Sequence, residues 1–139
     1  MKQEFFDFEI YTNGQKLYDF TEETISWVKK NKFQNGILNL NLQHTSASLI
    51  VQENADPDVQ TDLINYFDKL APMDNALYVH NTEGKDDMPA HIKSSLTNNQ
   101  ITLSIKNGEL LLGTWQGLYL FEHRLDPQLR KIIFHFLGN

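Results

Sequence analysis

Ile37-Leu38-Asn39-Leu40-Asn41-Leu42-Gln43-His44 alternates apolar and polar residues with a period of two. Such alternation marks a strand with one face in a core and the other outside it. Leu38, Leu40 and Leu42 define the inner face. By the same parity His44 lies on that face, pointing inward or into the mouth of a cleft.

The pattern extends in both directions. Upstream, Phe6, Phe8 and Ile10 alternate with Asp7, Glu9 and Tyr11, a second half-buried strand. Asn13-Gly14 is a strong hairpin turn signal, leading to a strand through Leu17. Thr21 is placed to cap a helix from Glu22 to about Asn31, with Phe20 and Ile25 as its hydrophobic staple. Asn35-Gly36 closes this region with residues that tolerate positive φ. Downstream, Ala47, Leu49 and Val51 begin an extended run. Asp56-Pro57 fits the N-cap and first turn of a helix whose stripe is Val59, Leu63, Phe67 and Leu70 and which stops before Pro72. Ala76 to His80 is expected to be a short strand, followed by a polar, acidic loop over 81–87. Asp86 or Asp87 then caps a helix carrying Met88 to Leu96. Further strands are predicted around Ile101-Leu103-Ile105, Glu109 to Leu112, Leu118 to Arg124 and Lys131 to Leu137, with Asn107-Gly108 as a tight turn. The expected fold class is α+β: one compact domain over residues 1–139, with a mostly antiparallel, two-layer, β-sandwich-like core and about three helices to one side.

Composition narrows the function classes. The chain has 139 residues and no cysteine, which excludes disulfides, thiol catalysis and cysteine metal sites. No apolar run approaches the roughly 20 residues of a membrane helix, and the N-terminus lacks a signal-peptide pattern. These features favour the cytoplasm and no membrane partner. The formal net charge is −6, and the densest basic group, Lys29, Lys30 and Lys32, sits at a predicted helix end. Bases there complement the helix dipole, so no nucleic-acid partner is expected.

Five histidines are present: His44, His80, His91, His123 and His135. A catalytic zinc site commonly uses three protein ligands and one open position. No short metal motif occurs, so any site must be assembled from distant segments. His123 and His135 lie within predicted strands and are assigned no role. His44, His80 and His91 each border polar, turn-rich sequence, where functional groups concentrate. The run His44-Thr45-Ser46-Ala47-Ser48 offers hydroxyls suited to an anion, or a strand edge satisfying its own backbone. Glu83-Gly84-Lys85-Asp86-Asp87 offers carboxylates to bind metal, orient a histidine or move a proton, or simply an acid-decorated helix start. Trp115, in Gly113-Thr114-Trp115-Gln116-Gly117, is suited to stacking on a heteroaromatic ring or to plugging the core. Glu122 and Arg124 share a strand face, as an ion pair or with Arg124 free for a phosphate.

Four of these segments together resemble one family: His44-Thr45-Ser46-Ala47-Ser48-Leu49, Glu53-Asn54-x-Asp56-Pro57, Glu83-Gly84-x-Asp86-Asp87-Met88-Pro89-Ala90-His91 and Leu112-Gly113-Thr114-Trp115-Gln116-Gly117. Their order and content are similar to the YjbQ family, also called UPF0047, over nearly the whole chain. The resemblance implies a β-rich α+β fold, a homotrimer and a secondary thiamine-phosphate synthase activity. That reaction joins hydroxymethylpyrimidine diphosphate to thiazole phosphate and releases pyrophosphate. The resemblance also implies a divalent metal, zinc or magnesium, at His44, His80 and His91. In this frame Ser46, Ser48 and Arg124 hold phosphate, and Trp115 packs on a substrate ring, with Gln116 beside it in the substrate-binding motif. Glu83, Asp87 and Glu122 are the candidate catalytic carboxylates. Two alternatives use the same residues: a metal-dependent hydrolase of a phosphate or ester, and a non-catalytic module that binds a small anion.

Overall fold

The computed structural model describes residues 1–139. Eight strands and three α-helices follow in the order β1 (Lys2–Thr12), β2 (Lys16–Asp19), α1 (Thr21–Lys30), β3 (Gly36–Leu42), β4 (Ala47–Glu53), α2 (Pro57–Leu70), α3 (Asp87–Leu96), β5 (Gln100–Lys106), β6 (Glu109–Leu110), β7 (Gln116–Glu122) and β8 (Gln128–Gly138). The strands form a five-stranded sheet in the order β1-β8-β3-β5-β6 and a three-stranded sheet in the order β2-β7-β4. Every strand pair is antiparallel. The α+β, two-layer expectation therefore holds.

Period-two alternation drives the sandwich. Leu38 and Leu40 of β3, Ile132, Phe134 and Phe136 of β8, Leu49 of β4, and Leu118 and Leu120 of β7 meet in one buried cluster between the sheets. Val28 and Phe33 close it from the α1 side. Burial of each such side chain contributes roughly 1.5–3 kcal/mol. The opposite face of the three-stranded sheet carries a smaller cluster of Leu17, Tyr119 and Phe121, covered by Leu63, Ile64 and Phe67 of α2. Of the expected α2 stripe, Leu63 and Phe67 face the sheet, joined by Ile64, whereas Leu70 is 51% exposed; Asp56 caps the helix by accepting from the Asp58 N–H. The outer face of the five-stranded sheet is left open by its own chain, and Phe5, Tyr11, Ile37 and Leu129 are exposed on it.

Four local expectations are corrected. Asn13-Gly14 does not join a hairpin. β1 pairs with β8 and β2 with β7, so the turn carries the chain from one sheet to the other, with Gly14 at φ 92°. Thr21 does not cap α1 but begins it. Asp19 Oδ1 accepts from both the Thr21 N–H and the Thr21 hydroxyl, and Thr21 Oγ1 in turn accepts from the Leu118 N–H. Positive φ occurs at Gly36 (158°), as expected, but not at Asn35, and it also occurs at Lys32 (57°). Gly36 is needed as well because β8 passes so close that a Cβ there would strike Leu137 O and Gly138 Cα. Ala76–His80 is not a strand: Asp74 starts a 3-10 turn over Asn75–Leu77, and Val79 then projects fully into solvent. With no neighbouring edge to pair, alternation over so few residues does not make a ladder.

Candidate metal centre

α3 begins against the end of β7, and this junction gathers the charged groups. Asp86 stands at the N-cap position of α3, but its side chain does not cap the helix. It accepts instead from Arg124 Nε (2.9 Å) and the Leu125 N–H (2.9 Å). Asp87 Oδ1 accepts from Arg124 Nη1 (2.6 Å), and Arg124 Nη2 donates to the Glu83 carbonyl. Burial pushes both carboxyls up, but hydrogen bonds and the guanidinium charge outweigh it and hold them below the usual range. His80 contributes in the same direction at Asp87. Arg124 thereby commits three of its five donors to two carboxylates and a carbonyl, which ties it to α3 rather than leaving it free for the phosphate expected from the sequence.

The second oxygen of Asp87 faces two imidazoles. His80 Nε2 lies 2.7 Å from Asp87 Oδ2 and 3.0 Å from Glu83 Oε2, and His91 Nε2 lies 3.2 Å from Asp87 Oδ2. His80, Asp87 and His91 place one ligand atom each within 4.8 Å of one another. His91 and Asp87 meet because residues four apart share a helix face. His91 Nδ1 lies 2.9 Å from the Thr45 carbonyl oxygen. A carbonyl only accepts, so Nδ1 carries a proton and Nε2 of the neutral ring presents a lone pair. That lone pair points at a carboxylate oxygen. Two acceptors at this separation repel unless a cation, a proton or a metal, lies between them. The donor set, two imidazoles and a carboxylate with a backbone carbonyl fixing one ring, offers ligand types that a transition metal takes.

His44 does not join this cluster. Its Nε2 accepts from the Lys131 N–H (2.9 Å), which ties the ring to β8. Burial, then the charge of Arg130, holds its pKa below the ordinary value. The neutral ring and His91 line a shared polar cavity of about 320 Å³ with Thr45, Ser94, Thr97 and Asn99. The hydroxyls singled out in the sequence are turned inward. Ser48 is fully buried, and its Oγ lies 2.8 Å from His123 Nε2. Ser46 Oγ accepts from Arg130 Nη2. Ser48 is thus closed off from substrate, and Ser46 is committed as an acceptor to Arg130.

Glu122 is also internal. Its Oε1 accepts from Arg130 Nη2 and the Arg124 N–H, and its Oε2 from Arg130 Nε (2.7 Å) and the Thr12 hydroxyl. All four lone-pair sites are occupied, so the group has no capacity to act as a base. Trp115 and Gln116 lie at the far end of β7, whose seven residues span about 20 Å. Trp115 is 65% exposed there and reaches nothing at the histidines within one chain.

Sequence inspection passed over three participants. Arg130 shares parity with Ile132, Phe134 and Phe136, and Glu122 shares it with Leu118 and Leu120. A charged residue on an apolar face is the signal that marks both. His123, given no role, has its Nδ1 buried without a hydrogen-bond partner. Lys93 of α3 is buried against Asp68 (2.6 Å).

Comparison with known proteins agrees over almost the full length. A family model described as UPF0047 protein YjbQ-like matches residues 6–139. A UPF0047 protein of Synechocystis is 49% identical over 129 residues, covering 93% of this chain and 88% of its own. The UPF0047 protein YjbQ of Salmonella typhimurium is 52% identical over 100 residues, 72% of each chain. Among solved structures, a YjbQ/UPF0047 protein of Clostridium acetobutylicum is 32% identical with a TM-score of 0.81, covering 95% of this chain and 99% of its own. A hypothetical protein of Aeropyrum pernix is 25% identical with a TM-score of 0.87, covering 98% of this chain and 99% of its own.

Proposed function

The chain belongs to the YjbQ-like UPF0047 family, and from that premise we propose that it is a metal-assisted enzyme acting on a small phosphorylated substrate, with His80, Asp87 and His91 as the metal ligands. The observation that carries this reading is the approach of His91 Nε2 to Asp87 Oδ2 at 3.2 Å while His91 Nδ1 is committed to a carbonyl. A proton or a metal ion between the two atoms relieves their repulsion. A divalent ion held there would polarise a phosphate oxygen and take up leaving-group charge.

The surroundings support a phosphorylated ligand. The polar cavity beside His91 is lined by the hydroxyls of Thr45, Ser94, Ser95 and Thr97 and carries no lysine or arginine. Ser94, Ser95 and Thr97 spend their hydroxyl hydrogens on the Ala47, Ile92 and Lys93 carbonyls, so Thr45 is the hydroxyl left to donate to an anion, and charge compensation is left to the metal. His44, accepting at Nε2, carries its proton on Nδ1 and is a donor on that wall. Arg124 orients Asp87 and does not touch substrate. Glu83, exposed and 3.0 Å from His80, is the group suited to moving a proton.

The finer reading is transfer, joining hydroxymethylpyrimidine diphosphate to thiazole phosphate with release of pyrophosphate. Glu83 favours a second one: an exposed carboxylate beside a metal also suits activation of water in a phosphate or ester hydrolase. The homotrimer belongs to the same proposal, and the open face bearing Phe5, Tyr11 and Ile37 supports it. Sedimentation of the purified chain tests that part.

Elemental analysis of protein purified without chelator tests the metal. About one divalent ion per chain is expected, lost in Asp87→Asn and His91→Ala and retained in Trp115→Ala. Equal metal content in all four proteins would refute the site. Product analysis separates the chemistries. Pyrophosphate appearing only when both substrates are present supports transfer, and phosphate or alcohol from a single substrate supports hydrolysis.

A further inference from the structure

The largest cavity in the molecule shares no residue with the histidine cluster. It is lined by β1 and β2, the edge strands of the two sheets, and has a volume of about 620 Å³. That lies within the roughly 300–1,000 Å³ usual for small-molecule sites. Its apolar wall includes Leu17, Phe20 and Tyr119, each at most 2% exposed, and Tyr18 stands beside them. Its polar lining is unbalanced: Glu9, Asp19 and Glu23 against the single base Lys16.

Two observations give this imbalance direction. Lys16 Nζ sits 5.5 Å from the centroid of the Tyr18 ring, so an ammonium already rests on an aromatic face of this cleft. Burial, and then the charge of Asp19, pushes the Tyr119 phenol up, as a negative field in an apolar setting does. Asn54, also in the lining, ties the glycine-rich loop to this site. Its N–H donates to the Trp115 carbonyl, and its side chain donates to the Thr114 carbonyl. Two motifs that the histidine cluster did not absorb therefore meet at this cavity, Asn54 lining it and the glycine-rich loop held behind Asn54.

We propose that the cleft between β1 and β2 binds a small organic cation, a primary or quaternary amine on an aromatic or aliphatic body. The apolar floor takes the body, the Tyr18 ring offers the face on which Lys16 now rests, and the three carboxylates supply the countercharge. Cation–π contact and charge pairing together select cation over neutral or anion.

Three probes of one shape test this on the full chain, followed by amide NMR shifts: phenethylammonium, 2-phenylethanol and phenylacetate. Phenethylammonium is expected to shift Tyr18 and Tyr119 and to bind about tenfold more tightly than the alcohol, with phenylacetate weakest. The Glu9→Gln/Glu23→Gln double variant alters only exposed side chains and should fold normally. It should weaken phenethylammonium about fivefold to tenfold and leave the alcohol unchanged. Equal binding of the three probes, shifts that cluster away from β1 and β2, no shift at about 10 mM phenethylammonium, or an unaltered affinity in the double variant would each overturn the site.

Discussion

The two ends of β7 handle polar groups in opposite ways. At the Glu122 end, Glu122, Arg124 and Arg130 are each bonded to protein partners, and His123 lies against Ser48. At the Gln116 end, Thr114, Trp115 and Gln116 are exposed. The loop there is held by backbone and amide hydrogen bonds, including Gln116 Oε1 accepting from the Gly113 N–H (2.7 Å). One end is a rigid charged lattice from which the histidine cluster is built outward. The other is a solvent-facing rim beside an apolar cleft. Charge that is buried must be matched internally, whereas exposed polar groups are satisfied by water. The first arrangement is costly to disturb, and the second is not.

The largest expected effect tests the lattice directly. Glu122→Ala leaves Arg130 buried and unmatched, and should destabilise the fold by about 3–5 kcal/mol in urea unfolding. Replacing both partners, Glu122→Leu with Arg130→Met, should cost far less. If the single variant costs no more than the double, the pair is not what sets the rigidity of this end.

The next effect is a pH dependence. Burial, then the charges of Lys93 and Arg130, pushes the His123 imidazole down to about 3. Asp68 faces Lys93 from α2 and Ser48 faces His123 from β4, and neither reverses that direction. The folded chain thus keeps His123 neutral while the unfolded chain takes up a proton below its ordinary value near 6.5. Stability from this group is complete above about pH 6.5 and falls as the pH drops toward 3, by roughly 3 kcal/mol at pH 4. His123→Gln should remove about one proton from the slope of stability against pH between 6 and 4. An unchanged slope would mean that His123 does not titrate on unfolding.

A smaller effect lies outside the buried lattice. Arg124→Gln frees Asp87 to reorient while leaving every proposed ligand in place, and metal affinity should fall about 10- to 100-fold in a competitive chelator titration. The smallest effect is at the opposite end. Trp115→Ala should change stability by no more than about 0.5 kcal/mol by thermal denaturation. A larger loss would show the Trp115 rim to be structural and erase the contrast between the two ends.

Much of the architecture was legible in the chain, because alternation is a local property. The Leu38-Leu40-Leu42 face and the Asp56-Pro57 helix start appear as the pattern requires, and Leu63 and Phe67 of the α2 stripe do as well. Part of the site was legible too: His91 four residues after Asp87 on a helix is local geometry. The same parity that marks Phe134 and Leu120 as buried also marks Arg130 and Glu122 as buried, but not which partner each takes. Asn13-Gly14 was not readable, because its dipeptide conformation suits a turn within a sheet or between sheets equally well.

The sequence by itself determined most of the strands, the start of α2 and the family, since each depends on neighbours along the chain or on motifs in order. Only the tertiary structure decided which polar groups meet. It tied His44 to β8, turned Ser48 toward His123, spent Arg124 on Asp86 and Asp87, and set Trp115 a strand's length from the histidines. Those choices follow from strand register and sheet order, which bring residues dozens of positions apart within hydrogen-bonding distance. Hydrogen bonds and ion pairs act over only a few ångströms, so no local pattern can specify them.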